Sequence, residues 1–247
     1  MPVFSRQSAL LAGLLLAVVS ISACHKKKPA EVDAPPPAAA PATSDNPAQT
    51  SAETSGEAAA EAATPRALSA EEKALAEKKK ALADILAENT LLTDPKGQWA
   101  ESATASSTRA SDHSPQSHDS YAPWHATGKP NVDDNGLSTE AWLPAVENGG
   151  VEWLQVTFAT PRPATALRIK QNTGPGAVIK IELLDDGGAA HTIFEGVDET
   201  QYEGVRFQWL KKEFPVTPYK VAGAKITLAT NLIQGYNQID AVQLVGE

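Results

Sequence analysis

Between Val151 and Asp186 the chain alternates apolar and polar residues in three short runs. In VEWLQVTF, Leu154, Val156 and Phe158 fall on one face and Trp153, Gln155 and Thr157 on the other. Leu167 and Ile169 then alternate with Arg168 and Lys170, and Ile179, Ile181 and Leu183 with Lys180 and Glu182. A period of two buries one face of a strand and wets the other. The connectors Ala159–Pro163 and Thr173–Gly176 are too short for a crossover helix, so consecutive strands must pair antiparallel. The buried face then needs a second sheet over it. Further short runs at Gln98–Ser106, Ser138–Pro144, His191–Glu195, Arg206–Phe214, Ala222–Ala229 and Gln238–Val245 complete the count. The pattern predicts an all-β fold, an antiparallel jelly-roll-like β-sandwich of about eight strands over residues 98–247.

A different period precedes the sandwich. Ser69-Ala70-Glu71-Glu72 reads as a capping box, and a helix continues from it across residues 68–92, stopping before Pro95. Leu68, Leu75 and Leu82 recur every seven residues, with Ile85 and Leu86 beside them. That repeat is too short to specify a coiled coil. Two roles stay open, a spacer that docks lightly on the sandwich and a self-associating helix. Residues 24–67 are dominated by Ala, Pro, Ser and Thr and have almost no large apolar side chains, which predicts a disordered tether. Ahead of it, Ala9–Ile21 is an apolar run short for a membrane span and suited to a signal peptide over residues 1–23.

Composition narrows the partners. The formal net charge of the 247 residues is −9, and from Gln98 onward 11 Lys and Arg stand against 18 Asp and Glu. An acidic domain without a basic stripe argues against nucleic acid. The single cysteine, Cys24, excludes an intrachain disulfide and a multi-cysteine metal site. It ends Ile21-Ser22-Ala23-Cys24, which resembles the bacterial lipobox. That resemblance implies acylation of Cys24, anchorage to a membrane through lipid, and a place in the bacterial cell envelope, with His25 pointing to the outer membrane facing periplasm or cell surface.

Tyr121-x-x-Trp124-x-Ala126-x-Gly128-x-Pro130, Ala141-Trp142-x-Pro144, Val151-Glu152-Trp153-Leu154, Pro175-Gly176-Ala177-Val178 and Ile239-Asp240-Ala241-Val242-x-Leu244-x-Gly246 together resemble a discoidin-like (coagulation factor 5/8 type C, galactose-binding-like) domain. The branch is the one seen in F-box/leucine-rich-repeat proteins and bacterial secreted proteins. The resemblance implies an eight-stranded sandwich with ligand-contacting loops at one end, partners among glycans, lipid headgroups or proteins, and a structural calcium ion. Two amides, Gln171 and Gln238, stand where the bacterial pattern carries acidic residues, which weakens a hard-cation site there. Thr173 replaces an aromatic residue in the loop before Pro-Gly.

Candidate chemistry comes from these loops. Asn172, Thr173, Asn231, Gln234, Tyr236 and Asn237 form a polar, uncharged set suited to a glycan if the loops converge. Trp124, Trp142, Trp153 and Trp209 carry faces on which a sugar ring can stack, with Trp124 and Trp142 expected in the core and Trp153 against the helix. Asp133, Asp134 and Asp240 are the candidate calcium ligands. Asp240 is expected to point inward with Val242 and Leu244 and to cap backbone N–H groups or meet a cation. His113, His118 and His125 share a loop, at spacings that match no zinc pattern. No GxSxG, HExxH or phosphate-binding glycine loop is present, so the expectation is a binding protein rather than an enzyme. The leading expectation is a lipid-anchored ligand-binding module, with carbohydrate as a candidate ligand. The alternative is a protein-interaction module docking on an envelope assembly.

Overall fold

The computed structural model describes residues 67–247, within a compact unit spanning Ala63–Glu247. The expected signal peptide, Cys24 and all but the last residue of the expected tether lie outside the described residues. One helix, α1 (Ala70–Leu92), precedes eight strands: β1 (Gly97–Ala105), β2 (Val151–Arg162), β3 (Ala164–Thr173), β4 (Val178–Asp185), β5 (Ala190–Glu195), β6 (Gln208–Glu213), β7 (Val221–Ala229) and β8 (Gln238–Gly246). The capping box closes as expected. The Glu72 amide donates to Ser69 Oγ (3.2 Å) and the Ser69 amide donates to the Glu72 carboxylate (2.7 Å).

Every strand pair is antiparallel. The order β5-β4-β7-β2-β1-β8-β3-β6 folds into two layers because β1 serves both. Its first residues, Gly97–Trp99, pair with β8, and Ala100–Ala105 pair with β2 across a bulge. Such a bulge lets one strand turn the corner between two sheets. Leu154, Val156, Leu167, Ile169, Ile181, Leu183, Leu210, Ile226, Leu228, Ile239 and Leu244 fill the space between them.

Three expectations change. The run Ser138–Pro144 is loop rather than strand and has one backbone bridge to the sheet, Trp142 to Ile239. Trp142 is fully buried and donates its indole N–H to the Ser107 carbonyl (3.1 Å), which anchors the long segment between β1 and β2. Trp124 is exposed instead, its ring edge-on to His118 at 4.8 Å. Among several register slips, two change which residue faces the core. At Val178/Lys180 the slip sends Val178 rather than Ile179 into the core. At Asp240 the partners jump from Lys170↔Ala241 to Gln171↔Ile239, so Ile239 and Val242 are both core and Asp240 is turned outward between them. An extra residue in one strand reverses the facing of every residue beyond it.

The outward face of β3, β6 and β8 is covered by the C-terminal third of α1. Arg168 donates to Asp94 (2.8 Å), Gln243 Nε2 to the Leu91 carbonyl (3.0 Å) and Trp209 Nε1 to Glu88 (3.3 Å). At the centre lies Lys170, whose side chain is 3% exposed. Its ammonium sits 3.3 Å from Glu88 and 3.7 Å from Asp240, and donates to the Val132 carbonyl at 3.1 Å. Asp240 also accepts from the amides of Asn131 and Val132, each at 3.3 Å. Burial pushes the Asp240 carboxyl up from 3.8 to about 6, against the pull of Lys170 and the two amides.

The long connections, 106–150, 174–177, 196–207 and 230–237, all leave the same end of the sandwich. They interlock: the Ala229 amide donates to Ala177 O (2.9 Å) and the Asn237 amide group to Gly174 O (2.7 Å). Gly174 has φ +55, and a Cβ there would lie 2.2 Å from the Tyr236 carbonyl oxygen.

This packing can be tested in two places. Gly174→Ala should lose ~2–3 kcal/mol in chemical denaturation, because both the left-handed backbone and the neighbouring carbonyl oppose a methyl group. Asp240 binds its proton more tightly folded than unfolded, so ionising it between about pH 4 and pH 6 lowers stability, with the loss complete above that range and absent below it. Asp240→Asn lacks this dependence. Its stability relative to wild type should improve by on the order of 3 kcal/mol from pH 4 to pH 7. Parallel pH profiles for the two proteins would refute the assignment.

Candidate functional site

The loop end gathers the polar residues that the sequence singles out, but only some reach solvent. Asn172 is fully buried and donates its amide to Gly136 O (2.7 Å) and Gln238 Oε1 (2.9 Å). Asn237 is buried against Gly174, and the Thr173 hydroxyl is enclosed. Asn172 and Asn237 hold the loops together through these bonds, while the Thr173 hydroxyl has no hydrogen-bond partner. Asn231 and Gln234 are exposed, and Tyr236 is half-buried, its hydroxyl accepting from Arg109 Nη1 at 2.6 Å. The Arg109 guanidinium also lies 5.3 Å from the Tyr236 ring centroid. The crevice beside Tyr236, lined by Pro144, Asn148 and Thr230, is too narrow to admit a water molecule.

The candidate calcium set does not converge. Asp133 and Asp134 are exposed, while Asp240 lies beneath them against Lys170, whose ammonium already supplies the positive charge. Among the described residues no three His, Cys, Asp or Glu side chains come together. The amides Gln171 and Gln238 each have a local reason. Gln238 accepts from the Ser138 amide (2.9 Å) and donates to the Ser138 carbonyl (2.7 Å), which a carboxylate cannot do at once. Gln171 donates to the Tyr202 hydroxyl (3.1 Å), which in turn donates to Asp198 (2.7 Å). Burial, reinforced by Asp198, raises the Tyr202 pKa and keeps the phenol protonated.

At the opposite end, His191 and Asp185 pair at 2.9 Å, and the hydrogen bond from His191 is the main cause of the lowered Asp185 pKa. Tyr219 stacks flat over the imidazole, ring centroids 3.8 Å apart, so the pair braces the β4–β5 hairpin.

A cavity of about 220 Å³ opens between α1, the 200–205 segment and the outward face of β6. Its floor is aromatic: Tyr202, Phe207 and Trp209. Asp84 and Glu88 descend from the helix, and Thr200, Gln201 and Lys211 form the rim. A second lobe of about 220 Å³ continues along the helix past Glu77, Lys80, Gly204 and Arg206. Lys80 separates the lobes, donating to Asp84 (2.9 Å) and to the Gly204 carbonyl (2.7 Å). Across the groove three carboxylates (Glu77, Asp84, Glu88) meet three cations (Lys80, Arg206, Lys211). A balanced wall with aromatic faces, hydroxyls and an amide suits a neutral, hydroxyl-rich ligand.

Trp209, which lies in the groove floor at 6% exposure, was legible as an aromatic face. The rest of the groove was not, because α1 and the 200–211 segment lie more than a hundred residues apart in sequence. The one available signal was Phe207 and Trp209 at a spacing of two on the polar face of β6. Trp153 does not approach the helix. It lies on the outward face of β2 in the other sheet, with the Lys225 ammonium 5.0 Å from its ring.

No family model and no curated protein sequence matches the chain. Among solved structures it is similar to chitosan-binding module 1 of a chitosanase/glucanase from Paenibacillus sp. IK-5, at 15% identity over 58% of this chain and 93% of that one, with a TM-score of 0.41. It is similar also to the family 32 carbohydrate-binding module of C. perfringens NanJ, solved with galactose, at 16% identity over 60% of this chain and 98% of that one, TM-score 0.41. A third is the family 32 module of AlyQ, solved with 4,5-unsaturated mannuronic acid, at 15% identity over 60% of this chain and 96% of that one, TM-score 0.38.

Proposed function

We propose that this chain is a lipid-anchored protein of the bacterial cell envelope, acylated at Cys24, that displays a non-catalytic carbohydrate-binding module of the discoidin-like kind. The observation that carries the carbohydrate reading is the aromatic-floored, charge-balanced groove beside α1. One lobe has the size of a single small ligand, and the pair suits two successive rings of a chain rather than a buried cofactor. Phe207 and Tyr202 offer ring faces, and Gln201, Thr200 and Asp84 offer the donors and acceptors that hydroxyls need. The anchor rests on the lipobox resemblance, and the tether would hold the module away from the bilayer.

A second reading, a protein-docking module, draws on the exposed leucines of α1. It is distinguished by what the chain captures.

Titration of the full chain against a panel of soluble polysaccharides should find at least one binder. Phe207→Ala should weaken that binding about tenfold, the worth of one stacked ring, while Tyr236→Ala at the loop end leaves it unchanged. Binding abolished at Tyr236 and untouched at Phe207 would move the site to the loop end. Failure to bind any polysaccharide, with capture of an envelope protein instead, would sink the carbohydrate reading. Separately, Cys24→Ser should shift the chain from the detergent phase to the aqueous phase, and equal partitioning of both forms would remove the anchor.

A further inference from the structure

The side of α1 turned away from the sheet carries Leu75, Leu82 and Leu86, which are 53%, 57% and 57% exposed, and Leu68, 54% exposed, lies just before the Ser69 N-cap. At 100° per residue the three helical leucines fall within a sector of about 40°, roughly opposite the buried Glu88 and Leu91. Ten helical residues, 70–79, are exposed throughout. A helix this far from the protein body is marginal by itself in water, and an apolar stripe along it calls for cover.

The charges beside the stripe say what that cover is. Viewed down the helix, Glu72 and Lys79 flank the leucines on one side, and Glu71 and Lys78 flank them on the other. If two copies paired in parallel, opposite flanks would meet, Glu72 against Glu71 and Lys79 against Lys78. If they pair antiparallel about Leu75, like flanks meet with the direction reversed. Glu71 then faces Lys78 of the second copy and Glu72 faces Lys79, each with an axial offset of ~1.5 Å. Leu75 meets its own counterpart, and Leu82 lies over the start of the second copy's helix. Flank charges of this kind select orientation by penalising the wrong one.

We infer that α1 is a self-complementary antiparallel dimerisation helix, its occupant a second copy of this chain related by a two-fold axis at Leu75. Such a contact is closed and isologous. Glu72 keeps its cap to Ser69 in this arrangement, and the Glu71–Lys78 pair does not depend on it. The sandwiches do not collide. Each docks on the far side of its helix near Leu92, ~25 Å from the axis, so the two lie at opposite ends and on opposite sides. The grooves beside Asp84 and Glu88 stay open, since those side chains point away from the leucines.

Sedimentation equilibrium of the full chain in neutral detergent, from about 1 to 500 µM, should show a monomer–dimer equilibrium. Glu71→Lys or Lys78→Glu alone should weaken it at least ~10-fold, and the double swap should restore it to within ~3-fold of wild type. Both positions are exposed, so an unchanged near-UV circular dichroism spectrum will show the sandwich intact in every variant. Spin labels at Thr90→Cys, with Cys24→Ser, should lie ~45 Å apart in the antiparallel pair, against ~10–15 Å in a parallel one. A monomer at every concentration, equal association of wild type and all three charge variants, or the short label distance would each overturn the inference.

Discussion

One buried ammonium holds four segments of the chain in place. Lys170 rises from β3, meets Asp240 on β8 and Glu88 on α1, and donates to Val132 in the long loop. A charge so enclosed is costly unless every partner is present, and losing one leaves the others exposed to the full penalty of desolvation. The network therefore specifies position more than it adds stability. It fixes where the helix lies on the sheet, and through Glu88 and the Trp209 indole it fixes the floor of the groove. Phe207 and Trp209 lie 5.5 and 5.8 Å from the same ammonium and shield it from water.

The loop end obeys a related rule with neutral groups. Forty-five residues join β1 to β2, and their backbone must find partners where no strand supplies them. Trp142, Thr108, Gln238 and Asn172 meet that need, reaching the carbonyls of Ser107, Tyr121, Ser138 and Gly136. Asn172, which donates twice, and Gln238, which both donates and accepts, act as staples between strand ends and loop. Their burial explains why polar residues at a loop end need not mark a binding surface.

Alternation made the sandwich legible, because a two-residue period leaves little choice about which face is buried. Leu154, Val156, Leu167, Ile169, Ile181 and Leu183 all lie where it put them. Its failures at Ile179 and Asp240 share a cause: a bulge inserts one residue, and nothing in a local pattern announces it. The run Ser138–Pro144 misled for another reason. Its apolar residues serve a loop that plugs the sandwich, so strand-like composition went with irregular backbone. Of the loop-end candidates, composition could mark Asn172 and Asn237 as polar but not as turned inward. The groove was illegible because it exists only once a distant helix is laid against β6.

The way β1 enters the fold has a mechanical consequence. Strand β1 begins five residues after α1 ends and is shared by both layers, so it is the seam of the sandwich. Any pull applied upstream of Ala70 meets the contacts of Lys80, Glu88, Leu91 and Asp94 before it reaches that seam, and these break in succession as the helix is peeled away. The β1 ladder, by contrast, is loaded along its length and resists with many hydrogen bonds together. The helix thus acts as a fuse, yielding at low force and reversibly before the two layers feel any strain.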